Sequence, residues 1–156
     1  RESEGYSKIS NKTLFVDPQN ISKWNKLYDD RFSFEFDNNT KQTKVTVTSS
    51  GGWEILYVPI NVTSGKTYKV SVDYINNTGS YQGVGFQILN KVDNLDNLSN
   101  SANTVYLSNT KSTDFQTITN TFTATQSTMY IAFNFGMLQD NSTYTYTFRN
   151  ILIQEQ

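Results

Sequence analysis

The sequence predicts an all-β fold built as a two-sheet antiparallel β-sandwich, and three observations lead to that class. Short runs of alternating apolar and polar residues recur along most of the chain. Turn residues such as Asn, Asp, Gly and Ser separate these runs at regular spacing. No segment carries a convincing helical pattern. About ten short strands of this kind are typical of a jelly roll, with an immunoglobulin-like sandwich as the alternative topology.

The composition fits one folded domain. The chain has 156 residues, of which 14% are aromatic, whereas disordered chains have few aromatics and high net charge. We expect a polar lead-in over residues 1–12 and the sandwich domain over residues 13–156. Because the chain begins at Arg1 rather than Met, we also expect a mature fragment or a domain of a larger protein.

The first half of the chain alternates strands with turns. Thr13–Val16 predicts a first strand that ends at Asp17 and Pro18. In Ile21–Asp30 the apolar residues have three-residue spacing, and we favour a loop over a short helical turn because the segment is too short for a stable helix. Further strands are predicted over residues 32–36, 44–48, 53–60 and 66–74.

The second half repeats this pattern around one polar excursion, Asn90–Ala102. Strands are predicted over residues 82–89, 105–107, 115–123, 129–135 and 144–153. Strand 82–89 turns Val84, Phe86 and Ile88 to the core, and strand 129–135 does so with Met129, Ile131, Phe133 and Phe135. The last strand changes the parity of its apolar residues near Asn150.

Charge and residue content exclude several functional classes. The formal net charge is −1 without a block of Lys or Arg, which argues against a nucleic-acid partner. No apolar run approaches the ~20 residues needed to span a bilayer, so we expect no membrane insertion. The absence of Cys removes disulfides and thiolate metal sites. The absence of His removes the usual general base near neutral pH.

The sequence also predicts that the domain is not an enzyme. Neither a nucleophile elbow nor a phosphate-binding glycine loop is present. Glycoside hydrolysis could use two carboxylates alone. The candidate carboxylates are Asp29, Asp30, Glu54 and Asp73. They form no supported acid-base pair in the sequence.

Several strand signatures together resemble a known family of binding domains. They lie in the segments 51–53, 62–74, 83–88, 115–124, 130–136 and 148–153. This arrangement resembles the jelly-roll carbohydrate-binding modules of the family 4, 9, 16 and 22 type, over roughly residues 13–154. The resemblance implies a glycan cleft on one sheet, with amides supplied by Asn134 and Gln87. It also implies a structural calcium held by a carboxylate near the start of the last strand, where this chain has Asn150.

The candidate site rests on a polar floor opposite the core. A sugar ring needs amides or carboxylates for its hydroxyls and aromatic rings for its C–H faces. Gln87 and Asn134 lie opposite the core residues of their strands, and we expect them to face outward into one shared, solvent-facing surface. Gly83 and Gly85 remove side-chain bulk from the same face, which would let a ligand approach the backbone.

Aromatic residues are expected to flank this surface. The candidates are Trp24, Trp53, Tyr81, Tyr106 and Tyr144. Trp53 also fits the core, because it shares parity with Ile55 and Tyr57. Trp24 fits a plug at the end of the sandwich equally well. Tyr68 and Tyr74 belong to the core, with hydroxyl groups that reach out to partners.

The function expected from the sequence is therefore a non-catalytic carbohydrate-binding module. Its partners would be a polysaccharide or cell-wall glycan and the other domains of a larger protein, and it would need no cofactor except the structural calcium that the resemblance suggests. Its location would be extracellular, at the cell surface or on a virion. The alternatives are a receptor-binding accessory domain of a phage tail or baseplate, and a purely structural or adhesin sandwich without a glycan site.

Overall fold

The computed structural model describes residues 12–27, 31–48, 54–92, 103–136 and 142–156. Within them lie eleven strands: β1 Thr13–Phe15, β2 Asn25–Leu27, β3 Phe32–Asp37, β4 Gln42–Thr48, β5 Ile55–Asn61, β6 Thr67–Asn76, β7 Gly85–Leu89, β8 Thr104–Tyr106, β9 Gln116–Thr123, β10 Thr128–Asn134 and β11 Thr143–Glu155. A 3₁₀ helix spans Ile21–Lys23. The described ranges contain no helix long and apolar enough to cross a membrane.

The strands form two antiparallel sheets, which confirms the predicted fold class. Sheet A has the order β3-β4-β11-β6-β9, and β1 pairs with the far end of β11. Sheet B has the order β2-β5-β10-β7-β8. Most neighbours within each sheet are distant in sequence, as in a jelly roll, and only the β3–β4 and β7–β8 pairs join consecutive strands.

The main core lies between the two sheets and is rich in aromatic rings. Phe133 of sheet B stacks on Phe148 of sheet A with ring centroids 4.5 Å apart. Phe86 stacks on the same Phe133 ring at 5.3 Å. Stacked rings of this kind contribute about 0.5–1.5 kcal/mol beyond the area that they bury. Phe133 therefore links both sheets, and within sheet B it links β10 to its neighbour β7.

Strand β6 shows how alternation specifies the inner face of sheet A. Tyr68 and Tyr74 are buried on its inner side, as predicted. The Tyr68 hydroxyl accepts a hydrogen bond from the N–H of Thr63 at 2.8 Å. The Tyr74 hydroxyl accepts one from the N–H of Ser108 at 2.7 Å. Both hydroxyls thus reach backbone partners, and they fix the turns that follow β5 and β8.

Two local predictions are wrong. The segment predicted as a loop contains the 3₁₀ helix and then strand β2. Asn20 caps the helix, because its side chain accepts a hydrogen bond from the Ser22 N–H at 3.0 Å. In β5, the residues Ile55 and Tyr57 lie on the outer face of sheet B, while Leu56 and its alternate neighbours enter the main core. Apolar residues occupy both faces of β5, so alternation could not assign its sides.

A bulge in β11 confirms the predicted change of parity. Asn150 has a φ of +53° and the register to β6 shifts between Arg149 and Leu152. Asn is among the few non-glycine residues that adopt this left-handed conformation readily. Phe148 and Ile151 are three residues apart and would lie on opposite faces of a regular strand. Because the bulge inserts one extra residue, both side chains point into the main core.

Candidate functional site

The outer face of sheet B, opposite the main core, is the surface that the sequence analysis selected. Residues paired directly across neighbouring strands share one face of a sheet. One row across β5, β10, β7 and β8 consists of Ile55, Asn134, Gly85 and Tyr106. The next row consists of Tyr57, Ala132, Gln87 and Thr104. This register places both predicted amides at the centre of the face.

A chain of side-chain hydrogen bonds runs through that centre. Asn134 donates from Nδ2 to Oε1 of Gln87 at 3.4 Å. Gln87 in turn donates from Nε2 to Oγ1 of Thr104 at 3.3 Å. The Oδ1 atom of Asn134 accepts from the N–H of Gly136 at 2.9 Å. The prediction that the two amides lie side by side, opposite the main core, is confirmed.

The prediction that these amides face solvent is wrong. Gln87 is 1% exposed and Asn134 is 0% exposed. Three apolar residues of the same face, Ile55, Leu89 and Ala132, are also buried, and they form a second cluster separate from the main core. A ligand that approaches this face therefore meets the more exposed side chains around the buried centre, here called the rim, before it meets the centre itself.

Two tyrosines of this rim lie beside the buried centre, one on β5 and one on the central strand β10. Tyr57 and Tyr130 are half-buried and pack edge to face, with ring centroids 6.2 Å apart and planes at 76°. Both pack against the second apolar cluster. The sequence predicts neither of them as a site residue, because alternation assigns Tyr57 to the core together with Ile55. The parity that Tyr130 shares with Asn134 was the signal that could have identified it.

Two exposed tyrosines lie on the opposite rim. Tyr106 of β8 is 56% exposed and pairs in register with Gly85. Tyr81 is 70% exposed, in the loop between β6 and β7. A Cβ atom placed on Gly83 would lie 3.3 Å from the Cβ of Tyr106, so the loop that carries Tyr81 passes beside Tyr106. Both predicted tyrosines are thus exposed, and the loop of one passes beside the other.

A partly buried polar network fixes the loop that carries Tyr81. The hydroxyls of Ser80 and Tyr146 are hydrogen bonded at 2.7 Å, and Ser80 also donates to the carbonyl of Gln82 at 2.8 Å. Asn76 accepts from the N–H of Gly79 at 2.9 Å and donates to the carbonyl of Ser108 at 3.0 Å. Burial raises the pKa of Tyr146 to about 12, so its hydroxyl stays protonated at neutral pH.

The glycines of this region serve packing within the chain rather than the approach of a ligand. A Cβ on Gly83 would lie 2.1 Å from the carbonyl oxygen of Leu107, which is a severe backbone clash. A Cβ on Gly85 would meet Asn134 and Thr104 at 3.5 Å, which is ordinary contact. The space beside both glycines is therefore already lined by the protein, contrary to the expectation from the sequence.

The remaining aromatic candidates lie elsewhere. Trp24 is 2% exposed, stacks on Phe133 at 5.5 Å and donates from Nε1 to the carbonyl of Pro18 at 2.9 Å. It therefore plugs the main core rather than flanking a cleft. Tyr144 is buried on the inner face of sheet A and belongs to the same core. Trp53 lies outside the described residues.

The two candidate carboxylates that lie among the described residues, Glu54 and Asp73, are not paired with each other. Glu54 is buried beside β5 and lies 4.0 Å from Arg31. Asp73 lies on the outer face of sheet A, where it accepts hydrogen bonds from Thr117, Arg149 and Asn150. The two carboxylates thus belong to different sheets. Asp29 and Asp30 lie outside the described residues.

Several solved structures to which this chain is similar are carbohydrate-binding modules. A CBM4 structure aligns with a TM-score of 0.60 and 19% identity over 93% of this chain and 95% of its own. The CBM22-1 and GH10 modules of endo-1,4-β-D-xylanase 10B from Clostridium thermocellum, in complex with xylohexaose, align at 0.57 and 16% identity over 95% of this chain and 28% of theirs.

A third similar structure is a variant of CBM29-2 in complex with cellulohexaose. It aligns with a TM-score of 0.57 and 8% identity over 94% of this chain and 92% of its own. The fold is the jelly roll of these modules. At such low identities the likeness establishes the fold alone. No protein-family model matches the sequence, and no curated protein sequence matches it either.

Proposed function

We propose that this chain is a non-catalytic carbohydrate-binding module that binds a glycan along the rim of the outer face of sheet B. The observation that carries the proposal is the placement of tyrosines on both sides of the amide centre: Tyr57 and Tyr130 on one side, Tyr106 on the other. Tyrosine rings offer apolar faces to sugar C–H groups and hydroxyls to sugar oxygens, with little loss of entropy.

The dimensions of this face suit an oligosaccharide rather than a single sugar. Strands β5 and β8 are separated by β10 and β7, hence by three strand spacings or about 14 Å. The likeness to modules solved with xylohexaose and cellulohexaose supports the same class of ligand, a polysaccharide chain. A shallow site of this kind is expected to bind with a Kd of roughly 1 μM to 1 mM.

In this proposal the buried amides of Gln87 and Asn134 position the tyrosine rings and do not contact the sugar themselves. Gln87 connects β7 to β8 through Thr104, and Asn134 connects β10 to β7 through Gln87. Because Tyr106 follows Thr104 by two residues on β8, the amide chain sets where that ring stands relative to Tyr130. Direct contact with the sugar is assigned to Tyr106, Tyr130 and Tyr57, and Tyr81 would extend the exposed rim.

The test is affinity electrophoresis of the purified chain in gels that contain xylan, mannan, laminarin or hydroxyethyl cellulose. Titration calorimetry with the matching hexasaccharide follows for any polysaccharide that retards migration. Tyr106→Ala and Tyr130→Ala should each weaken binding roughly 3- to 10-fold, the equivalent of about 0.5–1.5 kcal/mol for one aromatic contact. Circular dichroism should show the same fold for both variants.

Phe15→Ala is the matched control. Phe15 is an exposed aromatic residue, 67% accessible, but it lies on β1 of sheet A. Its removal should leave affinity unchanged. Equal losses for Phe15→Ala and Tyr106→Ala would contradict the assigned face. Absence of retardation by these polysaccharides and by Gram-positive cell-wall preparations would contradict the proposed function.

A structural sandwich domain without a glycan site is the second candidate, and one observation favours it. The centre of the outer face is closed, with Gln87 and Asn134 buried. Under this alternative the chain binds no glycan, so the tyrosine substitutions have no glycan affinity to weaken. The chain would then serve to space or assemble neighbouring domains.

The setting we propose is a module of a larger extracellular or cell-surface protein, with a phage tail or baseplate as the alternative. The two settings differ in the glycan. A module attached to a secreted enzyme should bind one of the plant or storage polysaccharides named above. A phage accessory domain should instead bind isolated walls of Gram-positive bacteria, and a cell-wall sedimentation assay separates the two.

A further inference from the structure

The side chain of Gln19 joins the segment after β1 to the last strand. Its Nε2 atom donates to the carbonyl oxygen of Val16 at 2.6 Å and to that of Ile151 at 2.8 Å. Its Oε1 atom accepts from the N–H of Ile151 at 3.0 Å. The backbone adds one further bond, from the Val16 N–H to the Ile151 carbonyl at 2.9 Å. One amide therefore holds both chain segments together beside the β11 bulge.

Two carbonyl oxygens that converge on one point offer two of the oxygen ligands that a cation site needs. Ca²⁺ binds six to eight oxygen ligands at about 2.3–2.6 Å, and backbone carbonyls are common among them. In this chain the NH₂ group of Gln19 stands at that point. It presents two N–H hydrogens, each with partial positive charge, to the carbonyls of Val16 and Ile151.

The residues at this junction do not fit the calcium ion that the family resemblance implies. Position 150, where the resemblance places a carboxylate, is a neutral Asn whose Nδ2 atom donates to Asp73 at 3.1 Å. The Gln19 NH₂ group would repel a cation from the two carbonyls. In the described ranges, no three or more Asp, Glu, His or Cys side chains are grouped to hold a metal.

We propose that Gln19 replaces the structural calcium in this chain. The amide is a neutral donor, covalently attached, that ties the segment after β1 to β11 without a metal. The stability that this junction gives to the domain therefore does not depend on a divalent cation. A second consequence is that a carboxylate at position 19 would give, with the carbonyls of Val16 and Ile151, three or four protein oxygens for a Ca²⁺ ion whose other ligands are water, and would make the same junction depend on Ca²⁺.

The first measurement is the Tm of the wild-type chain in EDTA, in CaCl₂ and in MgCl₂ at pH 7. The three values should agree within about 1 °C, because the Gln19 junction gains no metal ligand on folding. A Tm that rises with the CaCl₂ concentration would overturn the proposal. Gln19→Met, which keeps the length but removes the hydrogen bonds, should lower the Tm by roughly 3–10 °C in every buffer.

The second measurement uses Gln19→Glu. In EDTA the carboxylate oxygen that replaces the NH₂ group faces two carbonyl oxygens with no hydrogen between them, so the Tm of this variant should fall below that of the wild type. Addition of CaCl₂ should restore most of the loss, with a smaller effect of MgCl₂, which requires stricter octahedral geometry. A Gln19→Glu variant that shows no response to Ca²⁺ would overturn the assignment of this point as a cation position.

Gln126→Glu supplies the matched control. The Gln126 amide also donates to two carbonyls, those of Asn90 and Thr128, both at 2.8 Å, but it is exposed. Water hydrates that site, so a carboxylate there should acquire little dependence on Ca²⁺. An equal Ca²⁺ response in both Gln→Glu variants would show a general effect of added charge and would contradict a specific role of Gln19.

Discussion

Gly83 shows how one residue without a side chain allows the β6–β7 loop to rest on the segment after β8. Any Cβ at this position would lie 2.1 Å from the carbonyl oxygen of Leu107, a backbone atom that cannot rotate away. Gly83→Ala should therefore shift the loop that carries Tyr81 and lower the free energy of unfolding by about 1–3 kcal/mol. Urea denaturation monitored by tryptophan fluorescence measures this loss.

Gly85→Ala is the control for that prediction, two residues further along. Its Cβ would meet neighbouring side chains at 3.5 Å, and no left-handed φ is required there. Since alanine also restricts the unfolded chain, its effect should stay within about 0.5 kcal/mol. Equal losses at Gly83 and Gly85 would show that the Leu107 contact does not limit position 83.

The face of single residues could be predicted from the sequence, but their exposure could not. Alternation placed Gln87 and Asn134 opposite the core because successive side chains of a strand point to opposite faces. Burial is set by what else packs on that face, which alternation does not encode. Trp24 shows the same limit: its spacing allowed either a plug or a cleft wall, and only its stacking on Phe133 decided between them.

Three strands of sheet A meet at Asp73 of β6. Thr117 of β9 donates to its Oδ1 atom at 2.7 Å, and Arg149 and Asn150 of β11 donate to its Oδ2 atom at 3.3 and 3.1 Å. Partial burial acts to raise the pKa of Asp73. The hydrogen bonds from Thr117, Asn150 and Arg149 together outweigh it and hold the pKa below its usual value.

This cluster predicts an acid-dependent part of the stability. A carboxyl whose pKa is lower in the folded state stabilises the fold above its unfolded pKa of about 3.9 and loses that effect as the pH falls through the folded value. Asp73→Asn should therefore have a lower Tm than the wild type at pH 7. The difference should shrink as the pH falls below about 4.

The measurement is a series of thermal unfolding curves between pH 7 and pH 2.5 for both chains. Glu35→Gln is the control, because the ion pair of Glu35 with Lys44, at 3.9 Å, is exposed. Its Tm should follow the wild-type curve closely. A constant gap between Asp73→Asn and the wild type across this range would contradict an electrostatic role for the cluster.

At the level of elements, the sequence predicted the strands whose two faces differ and failed where they do not. Strand β6 alternates strictly and was placed with the correct face inward. Strand β5 carries apolar residues on both sides, so alternation predicts the wrong face for Ile55 and Tyr57. Strand β2 has three residues and depends on its pairing with β5, a long-range contact that local pattern does not reveal.

The layered arrangement of the whole molecule places its C-terminus away from the proposed site. Gln156 donates its N–H to the carbonyl of Thr67 in sheet A at 2.9 Å. The proposed glycan surface lies on the outer face of sheet B, on the other side of the main core. A partner or label attached after Gln156 therefore starts from the opposite layer.

This geometry predicts a large gain from multivalency. A chain biotinylated after Gln156 and assembled on streptavidin should present several copies of sheet B, so that binding to an insoluble form of the active polysaccharide strengthens by about 10²–10⁴ over the monomer. The measurement is a depletion isotherm for both forms. A tetramer of Tyr106→Ala should lose affinity more steeply than its monomer, because each weakened contact multiplies across the linked copies. A tetramer that binds no better than the monomer would contradict a glycan site on the outer face of sheet B.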